Sequence, residues 1–132
     1  MLRTALAAAP RDAAAHHALG LTLTRLKRTG DALTELRKAA ELEPDRSRYA
    51  YVYAVALHSS GSRDEALTVL GKELKKHPND RDILSALISF TRAAGDATAA
   101  LGYAERLAAI APEDRNLARL VEELRRQTTR PN

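Results

Sequence analysis

Four prolines, Pro10, Pro44, Pro78 and Pro112, follow one another at intervals of 34 residues. A proline cannot continue a helix and fixes its own φ, so prolines at one spacing punctuate copies of one backbone unit. Placing each proline at position 32 of such a unit defines the repeats 13–46, 47–80 and 81–114. Other positions then agree. Position 20 is Ala32, Ala66 and Ala100; position 7 is Leu19, Tyr53 and Leu87; position 11 is Leu23, Leu57 and Thr91; position 24 is Leu36, Leu70 and Ala104; position 8 is Gly20, Ala54 and Ile88.

Inside each unit apolar residues recur at three and four, the spacing that lines one face of a helix. Midway the pattern breaks at Thr29-Gly30-Asp31, Ser60-Gly61-Ser62 and Ala94-Gly95-Asp96, so each unit reads as helix, turn, helix. After the prolines stand Asp12, Asp45, Asn79 with Asp80, and Asp114, side chains that cap a following helix by accepting a backbone N–H. Ser62 and Glu65 have the spacing of a capping box.

Composition narrows the fold to packed helices. With 45% apolar residues, no Trp and one Phe, the core must be built from Ala, Leu, Val and Ile. The absence of cysteine excludes a disulfide, a thiolate zinc site, a catalytic thiol and haem attachment within this stretch. The 21 Lys and Arg and 17 Asp and Glu give a net charge of +4, with the signs interspersed, which speaks against a nucleic-acid surface. No apolar run approaches the roughly 20 residues of a membrane span. The opening Met1–Pro10 stretch is too short in its apolar part for a secretory signal and fits the repeat frame instead.

The unit resembles the tetratricopeptide repeat: 34 residues, small residues at positions 8 and 20, apolar ones at 7, 11 and 24, proline at 32. Departures are His16, Ala50 and Leu84 at position 4, Glu73 and Leu107 beside Ala39 at position 27, and Ile88 at position 8. The resemblance implies an all-α superhelix, or solenoid. It comprises three helical hairpins, a leading half-repeat helix and a C-terminal capping helix. The chain then divides as 1–12, 13–46, 47–80, 81–112 and 113–132. Leu2, Ala5 and Leu6 occupy second-helix positions, so the chain reads as the C-terminal part of a longer bacterial protein, with a short protein capped by a half-repeat as the alternative. Leu117, Leu120, Val121 and Leu124 mark the inner face of the closing helix.

In this family the first helix of each hairpin lines a concave face. Carrying over its positions 2, 5, 9, 12 and 13 gives Ala14, His17, Leu21, Thr24 and Arg25, then Arg48, Tyr51, Val55, His58 and Ser59, then Asp82, Ser85, Ser89, Arg92 and Ala93. Such a surface suits an extended peptide or a partner's helix of some acidic character, with Tyr51, Arg25 and Arg92 as its anchors. The carboxylate clamp of chaperone-binding members is absent, because its places hold His17, Leu21, Val52, Asp82 and Ala86.

The adjacent His16 and His17 point about 100° apart on a helix and cannot share a metal, and no nucleophile motif, phosphate loop or paired-carboxylate constellation stands out. The expected function is therefore a non-enzymatic protein or peptide scaffold without metal or cofactor, in a bacterial cytoplasm or periplasm. The alternative is a structural module that joins chains, a homodimer through Leu2 and Leu6, or that supports other domains. The run Arg48 to Leu57 with Pro78-Asn79-Asp80-Arg81-Asp82 resembles repeats at the C-terminus of bacterial multihaem cytochromes, which would imply a periplasmic parent.

Overall fold

Seven helices and the turns between them make up residues 11–129, the part that the computed structural model describes. They are α1 (Ala13–Arg25), α2 (Thr29–Leu42), α3 (Ser47–Ser59), α4 (Arg63–Lys76), α5 (Arg81–Ala93), α6 (Ala97–Ile110) and α7 (Arg115–Thr129). The leading half-repeat, with Leu2, Leu6 and Pro10, lies outside the described residues. The chain divides into two compact units, 1–69 and 70–132, with the division inside α4.

In the first unit α2 packs against both α1 and α3. Its alanines allow this: Ala32 and Ala39 are buried to 2% and 0% exposure, and Leu36 between them to 1%. Leu19 and Leu23 of α1 meet Ala32, while Ala13, Ala39 and Tyr49 form a second cluster. Tyr49 and Tyr53 are buried, as their shared helical face requires, and Tyr51 is half-buried. Burial of His16 is satisfied by its Nδ1–H, which donates to the Glu35 carboxylate at 2.5 Å. In the second unit α6 packs against α5 and α7. Ile83, Leu84 and Leu87 of α5, Ala100 and Ala104 of α6, and Leu117, Val121 and Leu124 of α7 are buried.

The turn within each hairpin is the same structure three times. Arg28, Ser62 and Asp96 donate their N–H groups to the carbonyls of Leu23, Leu57 and Thr91, and Lys27, Gly61 and Gly95 donate to Thr24, His58 and Arg92. That pair of bonds is the Schellman helix ending, which needs a left-handed residue just past the helix. Gly61 (φ 97°), Gly95 (φ 78°) and Lys27 (φ 61°) are those residues, at position 15 of each repeat. The break expected at Thr29-Gly30-Asp31 is thus misplaced. Gly30 lies in the first turn of α2, and the left-handed position falls on a lysine. A lysine there pays the steric cost of its Cβ, about 1 kcal/mol. We expect Lys27→Gly to be neutral to stabilising by up to about 1 kcal/mol, and Gly61→Ala and Gly95→Ala to destabilise by about 1 kcal/mol, read from urea midpoints.

Between hairpins, Arg46, Asp80 and Asp114 donate their N–H groups to the carbonyls of Glu43, His77 and Ala111 around Pro44, Pro78 and Pro112. The prolines so occupy the second place of a tight turn, where their fixed φ fits. Asp12, Asp80 and Asp114 then accept from the N–H groups of Ala15, Ile83 and Leu117. Asp45 does not cap α3, because it stands one place early in the repeat. The cap position holds Arg46, which makes no side-chain cap bond.

Candidate functional site

A cleft of about 280 Å³ opens in the first unit where α1, α2 and α3 meet. Leu21 and Thr24 of α1 and Val52, Val55, Ala56 and Ser59 of α3 form its walls. Ala32, Leu33 and Leu36 of α2 form its floor, and Thr29 and Ser60 complete the rim. The lining is aliphatic, edged by hydroxyls. Two of those hydroxyls are turned back to the backbone: Thr24 Oγ1 donates to the Gly20 carbonyl at 2.9 Å and Ser60 Oγ to that of Leu57 at 2.9 Å. Leu21 is 41% exposed, unusual for a leucine on a helix whose other leucines are buried.

Of the residues expected on the groove, Leu21, Thr24, Val55 and Ser59 line this cleft. Arg25 is exposed, with its Nη2 donating to Thr22 Oγ1 at 3.3 Å. His17 lies elsewhere on α1, its ring 4.7 Å from that of Tyr49. Burial, and then the charge of Arg48, lower the His17 pKa below its ordinary value. Arg48 is exposed, and Tyr51 and His58 are half-buried on α3 away from the cleft lining. Ser85, Ser89 and Arg92 are exposed on α5 in the second unit. Arg92 borders a separate, more polar hollow of about 340 Å³ with Ala93, Gly95, Ala97, Leu124 and Gln127.

Val52, Ala56 and the α2 floor were missed by transferring first-helix positions alone. The two-helix repeat carries the missing signal, since Leu33 and Leu36 lie on the α2 face that reaches between α1 and α3. Among the described residues no group of three or more His, Asp or Glu is arranged to hold a metal. Nor is any helix there long and apolar enough to cross a membrane.

A succession of 34-residue helical hairpins with this turn chemistry defines a tetratricopeptide-repeat protein, a fold of protein-interaction scaffolds. The family model for the cytochrome c-type biogenesis protein H TPR domain matches residues 1–118, and the chain belongs to that family. Among solved structures, a crystal structure of MamA superposes with a TM-score of 0.82 at 17% identity, over 96% of this chain and 74% of that one. MamA from residue 41 to its end, from Desulfovibrio magneticus RS-1, gives 0.72 at 25% identity over 83% and 62%. The Cut9 and Hcn1 hetero-tetramer of the APC/C gives 0.76 at 17% identity, over 93% of this chain and 25% of the matched one. No curated protein matches by sequence.

Proposed function

We propose that this chain is a non-enzymatic scaffold that holds a polypeptide segment on the face formed by α1 and α3, in the service of cytochrome c-type biogenesis. The observation that carries this reading is the apolar cleft between α1 and α3, in a chain whose family takes its name from that process. Covalent haem attachment needs the cytochrome polypeptide before it has folded, so an unfolded, haem-free c-type cytochrome chain is the partner class that fits. Its apolar segments are accessible then and hidden after folding.

The test uses the lack of Trp in this chain, which leaves a partner's tryptophan as a clean fluorescent reporter. We expect saturable binding of a haem-free c-type cytochrome, with the folded haem-loaded form at least about tenfold weaker, a difference of 1.4 kcal/mol. Joint replacement of Leu21 and Tyr51 by alanine is expected to weaken binding by a further factor of about ten, because truncating a contact of this kind costs upward of about 1 kcal/mol. Equal affinity for the two cytochrome forms, or none for either, would transfer the function to a structural module that joins chains or supports neighbouring domains.

A further inference from the structure

Neither α1 nor α3 contains an aspartate or glutamate. The acidic side chains of the first unit stand on α2, on the first half of α4 and in the turns, while the two helices that wall the cleft carry Arg25, Arg48 and three histidines. Ion pairs of this unit among the described residues join His16 and Lys38 to Glu35, Arg28 to Asp31 and Arg46 to Glu43. Arg25 takes part in none of them. It lies four residues beyond Leu21, hence on the same helical face and one turn along from the wall of the cleft. Among the described residues no charged side chain lines the cleft itself. At about 280 Å³ it falls just below the range of small-molecule sites, roughly 300–1,000 Å³, and suits one bulky side chain delivered on a polypeptide.

Resting on the scaffold reading above, we infer that the cleft is a side-chain socket with a charge selector: it takes one Leu, Ile, Met or Phe of the partner, and Arg25 receives an Asp or Glu carried within one helical turn of that residue. The aliphatic walls reward an apolar side chain and reject a charged one, since nothing in them would replace the water lost by a charge. An arginine not paired with a carboxylate beside the opening offers a carboxylate a two-pronged partner.

Four fluorescein-labelled, alanine-based helical peptides of about 16 residues, differing only at two sites four apart, test this against the whole chain: Leu with Glu, Leu with Gln, Leu with Lys, and Ala with Glu. The Leu and Glu peptide is expected to bind tightest, with Ala for Leu costing at least about tenfold and Lys for Glu about five- to tenfold. Ala56→Phe, which fills the cleft from its half-buried wall position, is expected to bring the Leu and Glu peptide down to the level of the Ala and Glu one. Arg25→Glu, at an exposed residue, is expected to invert the preference between Glu and Lys, and it decides the matter even where Ala56→Phe perturbs the fold by circular dichroism. Equal affinities for the four peptides, no measurable binding of any, or an unchanged Glu preference in Arg25→Glu would overturn the inference. So would a folded Ala56→Phe that binds like the wild type. A Leu and Glu preference without binding of a haem-free cytochrome would keep the socket and remove the biogenesis reading. A cytochrome chain bound equally by wild type and Ala56→Phe would remove the socket and keep the scaffold.

Discussion

Gly20→Val is expected to destabilise the first unit by about 1–3 kcal/mol, the usual cost of forcing extra methyl groups into a filled core. A Cβ on residue 20 would lie 2.6 Å from Leu36 Cδ2 and 2.7 Å from its Cγ. Leu36 is 1% exposed, and yielding to that Cβ would push it from its packed place toward the cleft whose floor it forms. Leu36→Ala alone is expected to cost about 2–5 kcal/mol through the cavity it leaves. Together the two changes should cost less than their sum, because the second removes the atoms that the first collides with. A coupling of about 1–3 kcal/mol in a double-mutant cycle, read by urea denaturation, is the expected result. The sequence already contains the swapped arrangement: where the first repeat has Gly20 and Leu36 at positions 8 and 24, the third has Ile88 and Ala104. Simple additivity would show that α1 can move away from α2 at this crossing.

How far the sequence could be read differs between backbone and site. The proline period sets the hairpins, because one fixed φ in every inter-hairpin turn repeats wherever the turn does. Tyr49, Tyr51 and Tyr53 alternate as the residues of a strand do, yet the repeat frame places them in the first helix of a hairpin, and α3 is a helix. Errors arose where residue identity and backbone geometry part company. Thr29-Gly30-Asp31 looks like a turn by composition, yet the left-handed residue is Lys27, since the Schellman bonds require a conformation and glycine is only its easiest occupant. Asp45 looks like a cap, yet a one-residue offset takes its carboxylate out of reach of the α3 amides.

The cleft was legible only in part for a related reason. Helical spacing identifies the face on which Leu21, Thr24 and Val55 lie, but a cleft needs a floor. That floor comes from Leu33 and Leu36, whose periodicity marks them as core of the second helix. Exposure of Leu21 and the charge segregation between first and second helices depend on how three helices meet, which no single periodicity contains. The cytochrome link shows the same division: the Arg48–Leu57 run pointed to cytochromes, whereas the family is that of a cytochrome c biogenesis protein.

Glu73→Leu is expected to stabilise the chain by about 1–3 kcal/mol, an unusual sign for a core substitution. Position 27 of the repeat is Ala39 in the first unit of the frame and Leu107 in the third, both buried. In the second it is Glu73, which is 5% exposed. Its Oε1 is 3.5 Å from Lys76 Nζ, on a lysine whose side chain is 46% exposed and well hydrated. Its Oε2 is buried with no protein group in hydrogen-bond reach among the described residues. A carboxylate held in this way loses water around one oxygen and recovers only a long, solvent-screened ion pair, whereas leucine of similar volume would gain contacts with no polar atom to satisfy. Glu73→Gln separates charge from shape: it should recover less than Glu73→Leu, because the amide also leaves a buried polar atom without a partner. Urea midpoints for the three proteins at pH 7 decide the matter. Should both variants lose stability instead, the carboxylate is held by a group that this surface recruits, and position 73 joins the binding residues rather than the core.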